Sequence, residues 1–223
     1  MRVSVIIPAF NEQENIQPLH GELTETLRRG AFTDYEIIFV DDASTDATAA
    51  RVQALDDAKV RLVRMPARSG QSFAQREGFR SARFEIIATL NADREEDPSD
   101  LNPMAALLNQ GWDFVQGRRP ARNDNVTRRF GAHFANSVRR AVLADGFADI
   151  GCNFRLFRRH CVDTVRLFNG AHRFLPYLVS RKGFRVTEVD VRHRPRAAGQ
   201  SKYGLMDSGV KALIDLMRVR FTV

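Results

Sequence analysis

Short apolar runs rich in β-branched residues recur along the first half of the chain, and each gives way at once to polar and acidic residues. Val3-Ser4-Val5-Ile6-Ile7 leads into Pro8-Ala9-Phe10-Asn11-Glu12, and Glu36-Ile37-Ile38-Phe39-Val40 leads into Asp41-Asp42-Ala43-Ser44-Thr45-Asp46. Glu85-Ile86-Ile87-Ala88-Thr89-Leu90 leads into Asn91-Ala92-Asp93 in the same way. Between the runs the spacing turns helical: Ile16, Leu19, Leu23 and Leu27 predict a helix from Glu12 to Arg29, closed by Gly30. Further helices are expected after Ser44-Thr45-Asp46, whose side chains offer caps, from Gly70 to Ala82 and from Pro98 to Asn109, with strands at Val60–Val63 and Trp112–Val115. Strand and helix in alternation predict an α/β fold with a mostly parallel, doubly wound sheet flanked by helices. Ligands of such sheets bind beyond the carboxyl ends of the strands. Three strand ends supplying Asn and Asp therefore predict one polar, metal-assisted pocket.

Beyond Gly117 the rhythm changes. Residues 118–130 are Arg-rich and broken by Pro120 and Asn123-Asp124-Asn125, which predicts a mobile loop. A helix from Thr127 to Leu143, strands at Cys152–Phe157 and Val186–Val191, and a basic loop from Pro195 to Gly204 follow. In the last segment Met206, Val210, Leu213, Ile214, Met217 and Phe221 share one helical stripe, with Asp207, Lys211, Asp215 and Arg218 away from it. That stripe is read as a face turned to the core, to a membrane surface or to another subunit. There is no internal repeat and no low-complexity linker, so one domain over residues 1–204 is expected, with residues 205–223 as an amphipathic helix.

Charge divides the chain where composition alone does not. Residues 1–100 carry 12 Lys/Arg and 18 Asp/Glu, a net of −6, whereas residues 101–223 carry 22 and 9, a net of +13. The acidic half holds the candidate cation site, and the basic half is expected to meet an anion. That anion is read as a phosphorylated small molecule, a membrane surface or, weakest of the three, nucleic acid, for which no aromatic-interleaved basic motif, helix-turn-helix pattern or zinc-finger spacing occurs. Cys152 and Cys161, the only cysteines, are read as buried, reduced thiols of a cytosolic protein. Met1 runs almost directly into the first strand, leaving no room for a signal peptide, and no apolar stretch reaches bilayer-spanning length.

Neither a dinucleotide fingerprint nor a P-loop is present, so phosphate charge has to be met by a cation and by Arg or Lys. Asn91-Ala92-Asp93 occupies the place of the D-x-D motif of nucleotide-sugar transferases. Rupture of a sugar–phosphate bond leaves charge on a diphosphate, and carboxylate oxygen suits the hard cation, Mg²⁺ or Mn²⁺, that neutralises it. Asp93 is the carboxylate at that place. Glu95 is a second candidate ligand, and Glu95-Glu96-Asp97 serves equally as an acidic turn before the helix at Pro98. Asp41 and Asp42 are placed to accept from a base or ribose and Asn11 to bond a base edge; loop capping is the alternative for each.

Four motifs in order resemble those of the family-two glycosyltransferases: Val5 to Glu12, Val40 to Asp46, Leu90 to Asp93, and Arg196-Ala197-Ala198-Gly199-Gln200-Ser201-Lys202-Tyr203-Gly204. The nearest branch is that of the dolichol-phosphate mannosyltransferase-like, polyprenyl-phosphate glycosyltransferases. The resemblance implies a GT-A fold whose residues 1–117 bind a nucleotide-sugar, linked to GDP or UDP, and whose residues 118–204 bind a polyprenyl phosphate. It implies donor contacts from Pro8, Phe10, Asn11, Glu12, Asp41, Asp42, Arg68, Ser69, Asn91, Ala92 and Asp93, and a metal on Asp93 with Glu95 beside it. Arg118, Arg196, Ser201 and Lys202 are assigned to acceptor or diphosphate oxygens, with Asp93, Arg118 and Lys202 as the catalytic set. The implied reaction inverts the sugar at the cytoplasmic face of a membrane, in the making of cell-envelope glycans. A non-lipid acceptor and a weakly active nucleotide-sugar-binding protein stay open as alternatives, the latter because the family carries Asp where Asn91 stands. Asp149-Ile150-Gly151-Cys152 also resembles a family motif, with a catalytic or a turn-forming Asp. The histidines, His133, His160, His172 and His193 among them, have no ligand-like spacing, and a homodimer is neither specified nor excluded.

Overall fold

A computed structural model describes residues 1–120, 137–195 and 214–221 of the chain. The first apolar run forms β1 (Arg2–Ala9), the Leu-rich heptad-like stretch α1 (Ile16–Arg29), and the second run β2 (Asp34–Asp41). Then come α2 (Thr48–Gln53), β3 (Val60–Arg64), α3 (Gln71–Ser81) and β4 (Ile86–Thr89). A 3₁₀ turn at Pro98–Asp100 opens into α4 (Leu101–Asn109), which returns the chain to β5 (Phe114–Arg118). After a helical segment at 137–143 (α5) come β6 (Arg155–Arg158), α6 (His160–Asp163), α7 (Leu175–Arg181) and β7 (Val186–Asp190), and residues 214–221 form a last helix, α8.

The strands make one seven-stranded sheet in the order β3-β2-β1-β4-β6-β5-β7. All its pairs are parallel except those of β6, which runs antiparallel to both β4 and β5. β1 and β2 are buried almost throughout, as expected of central parallel strands covered on both faces. One core lies under α1 and α4, built from Val5, Ile7, Leu19, Leu23, Phe39, Met104 and Leu156; the other lies under α3 and α7, built from Ile6, Ile38, Phe79, Phe114, Phe157 and Leu178. Chain order reverses beside β1: β2 and β3 build outward on one side, and β4 returns to the other. That switch point opens a crevice above β1 and β4 where a ligand fits.

Three differences from the expected elements have local causes. α1 begins at Ile16 rather than Glu12, because residues 11–13 are tied by hydrogen bonds to the segment after β2. α2 is capped by Asp46, whose Oδ1 accepts from the Thr48 amide at 2.9 Å, while Ser44 and Thr45 bond Asn11 instead. α7 breaks an apolar segment that had no predicted element. The expected loop at 121–130, the start of the Thr127 helix and the loop from Arg196 to Gly204 lie outside the described residues.

α8 is amphipathic in the opposite sense to a core-facing stripe. Leu216 and Val219 are buried in the second core with Asp215, which lies against the bare Cα face of Gly170 and 4.0 Å from Arg173. Ile214, Met217 and Phe221 point outward and are the exposed large apolar side chains among the described residues. No helix among those residues is long and apolar enough to cross a membrane.

α3 can lie close on β1 only because Gly78 has no side chain. A Cβ there would fall well inside van der Waals contact with Ile6 Cγ2 and 3.3 Å from Val40 Cγ2. Gly78→Ala gains helix propensity of about 1 kcal/mol yet overpacks the core, so it is expected to lower unfolding free energy by about 1–2 kcal/mol net in urea titrations.

Candidate functional site

At each of the three strand ends one residue is forced into the left-handed region: Asn11 (φ 54°) after β1, Ala43 (φ 58°) after β2 and Arg94 (φ 62°) after β4. Alanine and arginine in that conformation each cost about 1 kcal/mol, and such strain concentrates where loops are shaped around a ligand. The first two loops are laced together. The Asn11 amide N–H donates to Ser44 Oγ (3.0 Å), its Oδ1 accepts from Thr45 N (2.8 Å), and Glu12 N donates to Thr48 Oγ1 (2.8 Å). Asn11 thereby ties the loop after β1 to the loop after β2.

Asp41 and Asp42 take different parts. Asp42 accepts from the amides of Ser69 (2.7 Å) and Gly70 (2.8 Å), so it fixes the entrance to α3. Asp41 Oδ1 accepts from Ser44 N (3.0 Å), while its Oδ2 is buried with no hydrogen-bond partner among the described residues and Arg64 stands 3.8 Å away. A buried carboxylate oxygen with spare acceptor capacity suits a donor N–H of a ligand. Arg68 stacks its guanidinium over the Phe10 ring at 3.9 Å, forming a flat, cationic wall beside the first loop. Pro8 and Ala92 are placed by β1 and by the loop after β4, and Ala92 is buried.

The third strand end carries the acidic centre. Asp93 is buried to 7% exposure and accepts a long bond from Glu95 N (3.4 Å). Glu96 lies fully buried, and its carboxyl is pushed up to about 7 by burial first and then by the charge of Asp93, with the Arg119 charge opposing. Asn91 serves Glu96: its Nδ2 donates to Glu96 Oε1 (2.9 Å), and its Oδ1 accepts from Gln71 Nε2 (2.8 Å) and Asn153 Nδ2 (3.4 Å). An Asp in its place would set a third carboxylate against Glu96, which gives a physical reason for the amide.

Arg118 and Arg119 diverge. Arg118 stands directly opposite Asp190 in the β5–β7 register and pairs with it on the sheet edge at 2.5 Å, 42% exposed. Its neighbour Arg119 turns inward and grips Asp149 with both Nε (2.7 Å) and Nη2 (3.0 Å), while its backbone N–H also donates to Asp149 (3.2 Å). The arginine that reaches the acidic centre is thus Arg119, and Asp149 orients it. Beneath them Gln116 Nε2 donates to the carbonyls of Asp149 (3.2 Å) and Cys152 (2.6 Å), and its Oε1 accepts from the fully buried Arg155 Nε (2.8 Å). Cys152 is buried here, its thiol pushed up to about 12 mainly by burial, so it packs as a neutral group. His193 comes within 3.9 Å of Glu95, a proximity that spacing along the sequence did not disclose. Arg196, Ser201 and Lys202 lie outside the described residues.

The donor set fits a hard divalent cation of the kind completed by substrate and water. Among the described residues no group of three or more His, Cys, Asp or Glu forms a cage. Mg²⁺ is ordinarily held by one or two carboxylates, with phosphate oxygens and water filling the remaining positions.

Comparison with known proteins bears on family and fold. Residues 4–166 match the family described as Glycosyl transferase family 2. The undecaprenyl-phosphate 4-deoxy-4-formamido-L-arabinose transferase of Yersinia enterocolitica is 32% identical over 219 residues, covering 97% of this chain and 65% of the relative. The protein of the same name from Photorhabdus laumondii is 32% identical over 219 residues, 97% of this chain and 66% of that one, so the chain spans just under two thirds of these relatives. Among solved structures, glucosyl-3-phosphoglycerate synthase from Mycobacterium tuberculosis in complex with UDP aligns with a TM-score of 0.74 at 18% identity, covering all of this chain and 80% of that one. The same synthase with Mn²⁺, UDP-glucose and phosphoglyceric acid aligns with a TM-score of 0.72 at 19% identity, again covering 100% and 80%.

Because Glu96 ionises at a higher pH in the folded protein than the ordinary 4.5, it binds more protons folded than unfolded between about pH 4.5 and 7. Its contribution is therefore fully present below pH 4.5 and is lost as pH rises through 7. Glu96→Gln, which retains the acceptor for Asn91, is expected to be as stable as the parent at pH 5 and more stable by about 2–3 kcal/mol at pH 8 without added metal; chemical denaturation at both pH values measures the difference. The match over residues 4–166, with relatives 32% identical across 97% of the sequence, shows that the chain belongs to glycosyl transferase family 2.

Proposed function

We propose that the protein transfers a sugar from a nucleotide-sugar to a polyprenyl phosphate, inverting the anomeric centre, with Mg²⁺ or Mn²⁺ held by Asp93 and Glu95. The observation that carries the reading is the meeting of Asp93 and Glu96 from β4 with Arg119 at the end of β5. Carboxylates for a cation and a fixed guanidinium for anionic oxygen are thereby brought to one end of the sheet. The lipid acceptor is supported by the undecaprenyl-phosphate transferases that resemble 97% of this chain.

Each residue then has a part. The Phe10–Arg68 wall and the spare oxygen of Asp41 hold the nucleoside, while Asp42 keeps the Ser69-Gly70 turn in place behind it. The bound cation offsets charge that accumulates on the diphosphate as the glycosyl bond breaks. Arg119, locked by Asp149, presents its remaining N–H groups to acceptor or diphosphate oxygen in a fixed direction; Arg196, Ser201 and Lys202 are assigned to the same oxygens. An ionised phosphate acceptor is already a nucleophile, so positioning and charge neutralisation supply the acceleration and no strong general base is required. Asn91 works indirectly, by holding Glu96.

The outward face of α8 suits a peripheral position on the cytoplasmic membrane surface. Ile214, Met217 and Phe221 project together, and Arg218 and Arg220 on the same helix are exposed, the pairing of apolar and basic side chains that anionic bilayers retain.

Asp93→Asn is expected to lower transfer of radiolabelled sugar into butanol-extractable lipid by about two to three orders of magnitude with little change in melting temperature. Arg118→Met is expected to cost less than tenfold and Arg119→Met about a hundredfold; the reverse order would return the catalytic assignment to Arg118. Phe221→Ser is expected to weaken sedimentation with anionic vesicles by about tenfold, the effect of withdrawing one aromatic side chain from lipid.

A further inference from the structure

Immediately after β7 the chain doubles back over the loop that follows β4. Glu96 and His193 form an isolated antiparallel bridge, and Arg194 N–H donates to the carbonyl of Glu95 at 2.7 Å. One residue earlier and one later, two arginines converge on one carboxylate, Asp97. Arg192 donates its backbone N–H to Asp100 Oδ2 (2.7 Å), its Nε and Nη2 to Asp100 Oδ1 (3.0 and 2.7 Å) and Nη2 also to Ser99 Oγ, and it lies 3.1 Å from Asp97 through Nη1. Arg194 reaches Asp97 Oδ2 with Nη2 (2.6 Å) and Glu22 Oε2 with Nη1 (3.0 Å). Positions 192 and 194 point to one side of an extended segment, which is what allows two guanidinia to converge on Asp97.

Glu22 is the fixed post of this arrangement. It stands on α1 between the buried Leu19 and Leu23, and its other oxygen, Oε1, accepts from Arg94 Nη2 at 2.5 Å. Arg94 is the strained residue directly after Asp93. One carboxylate on a rigid helix therefore holds both the loop that carries Asp93 and Glu95 and the segment that leads out of β7. Exposed ion pairs contribute little to stability singly, and Arg192 and Arg194 are 60% and 42% exposed. Convergent, multidentate geometry at that exposure fixes position more than it fixes stability.

We infer that Arg192 and Arg194 are positioning residues: they couple the segment after β7 to residues 93–97, so that the two move as one body and the cation-binding carboxylates keep their geometry. The inference deepens the transferase reading and rests on it for its catalytic consequence, but the coupling is measurable without catalysis.

Arg194→Met keeps the aliphatic stem and removes both ion pairs, and Glu22→Gln loosens Arg94 and Arg194 from a position outside the site. Hydrogen exchange of the unliganded variants, followed by mass spectrometry of peptides covering 91–97 and 190–195, is expected to speed up in both peptides together. The Mn²⁺ concentration giving half-maximal transfer is expected to rise about tenfold, the usual scale for outer-shell partners of a metal site, with the acceptor KM nearly unchanged. Arg194→Lys, able to satisfy one carboxylate but not two in fixed geometry, is expected to recover part of the shift. Faster exchange confined to 190–195, or an unchanged Mn²⁺ requirement in both active variants, would overturn the inference. Should the wild-type protein transfer no sugar to any lipid phosphate, the transferase reading falls, while the exchange data alone still decide the coupling.

Discussion

Burial of Glu96 beside Asp93 is the constraint to which the rest of this sheet end answers. A carboxylate inside a protein must be protonated, paired or bonded, and here all three are in play at once. Asn91 is turned to donate to it, Gln71 and Asn153 hold Asn91, and Arg119 brings the nearest positive charge. The chain does not neutralise the corner fully. Arg119 makes its bidentate contact with Asp149 rather than with Glu96. A structure built only for stability would fill this corner with apolar side chains, so the retained polar groups point to a role beyond packing.

Much of this was legible in the sequence because parallel central strands leave a strong trace. The runs Val5–Ile7 and Ile37–Val40 are apolar at successive positions, as strands covered on both faces must be, and the polar residues after them follow from sheet topology. β6 was expected as a strand at Cys152–Phe157 and forms at Arg155–Arg158, but its antiparallel direction depends on pairing with β4 and β5 rather than on local pattern. The choice between Arg118 and Arg119 is of the same kind. Adjacent residues at a strand end face opposite ways, and only the register that sets Arg118 against Asp190 decides which of them turns inward.

Asn91 shows a further limit of local reading. As a single letter it looks like a weakened metal ligand, a departure that lowers the charge of the motif. In the fold its amide is the group that can serve both a carboxylate and two carboxamides, because it donates and accepts where an aspartate could only accept. The partners that make sense of it lie at positions 71, 96 and 153, far apart along the chain. α8 carries the converse lesson: its periodicity was plain, but which stripe faced inward depended on Gly170 leaving room for Asp215, a contact that no hydropathy pattern contains.

The uneven charge of the sequence acquires its meaning from the sheet. Residues 1–100 bring the carboxylates and residues 101–223 the arginines, and placing β6 between β4 and β5 carries one into the other. Arg155 is the extreme case. It is fully buried, bonds Gln116 through Nε, and has no hydrogen-bond partner at Nη1 or Nη2 among the described residues, so burial lowers its pKa to about 10. The nearby acidic groups Asp149 and Glu96 oppose that shift, which keeps the guanidinium charged at neutral pH. A cation held beneath the site in this way cannot be displaced by solvent or substrate. It fixes, through Gln116, the carbonyls of Asp149 and Cys152, and so the direction in which Asp149 presents Arg119. The order runs from the buried Arg155 to an amide, to a loop and to Arg119, and each step is a hydrogen bond whose donor has few alternatives.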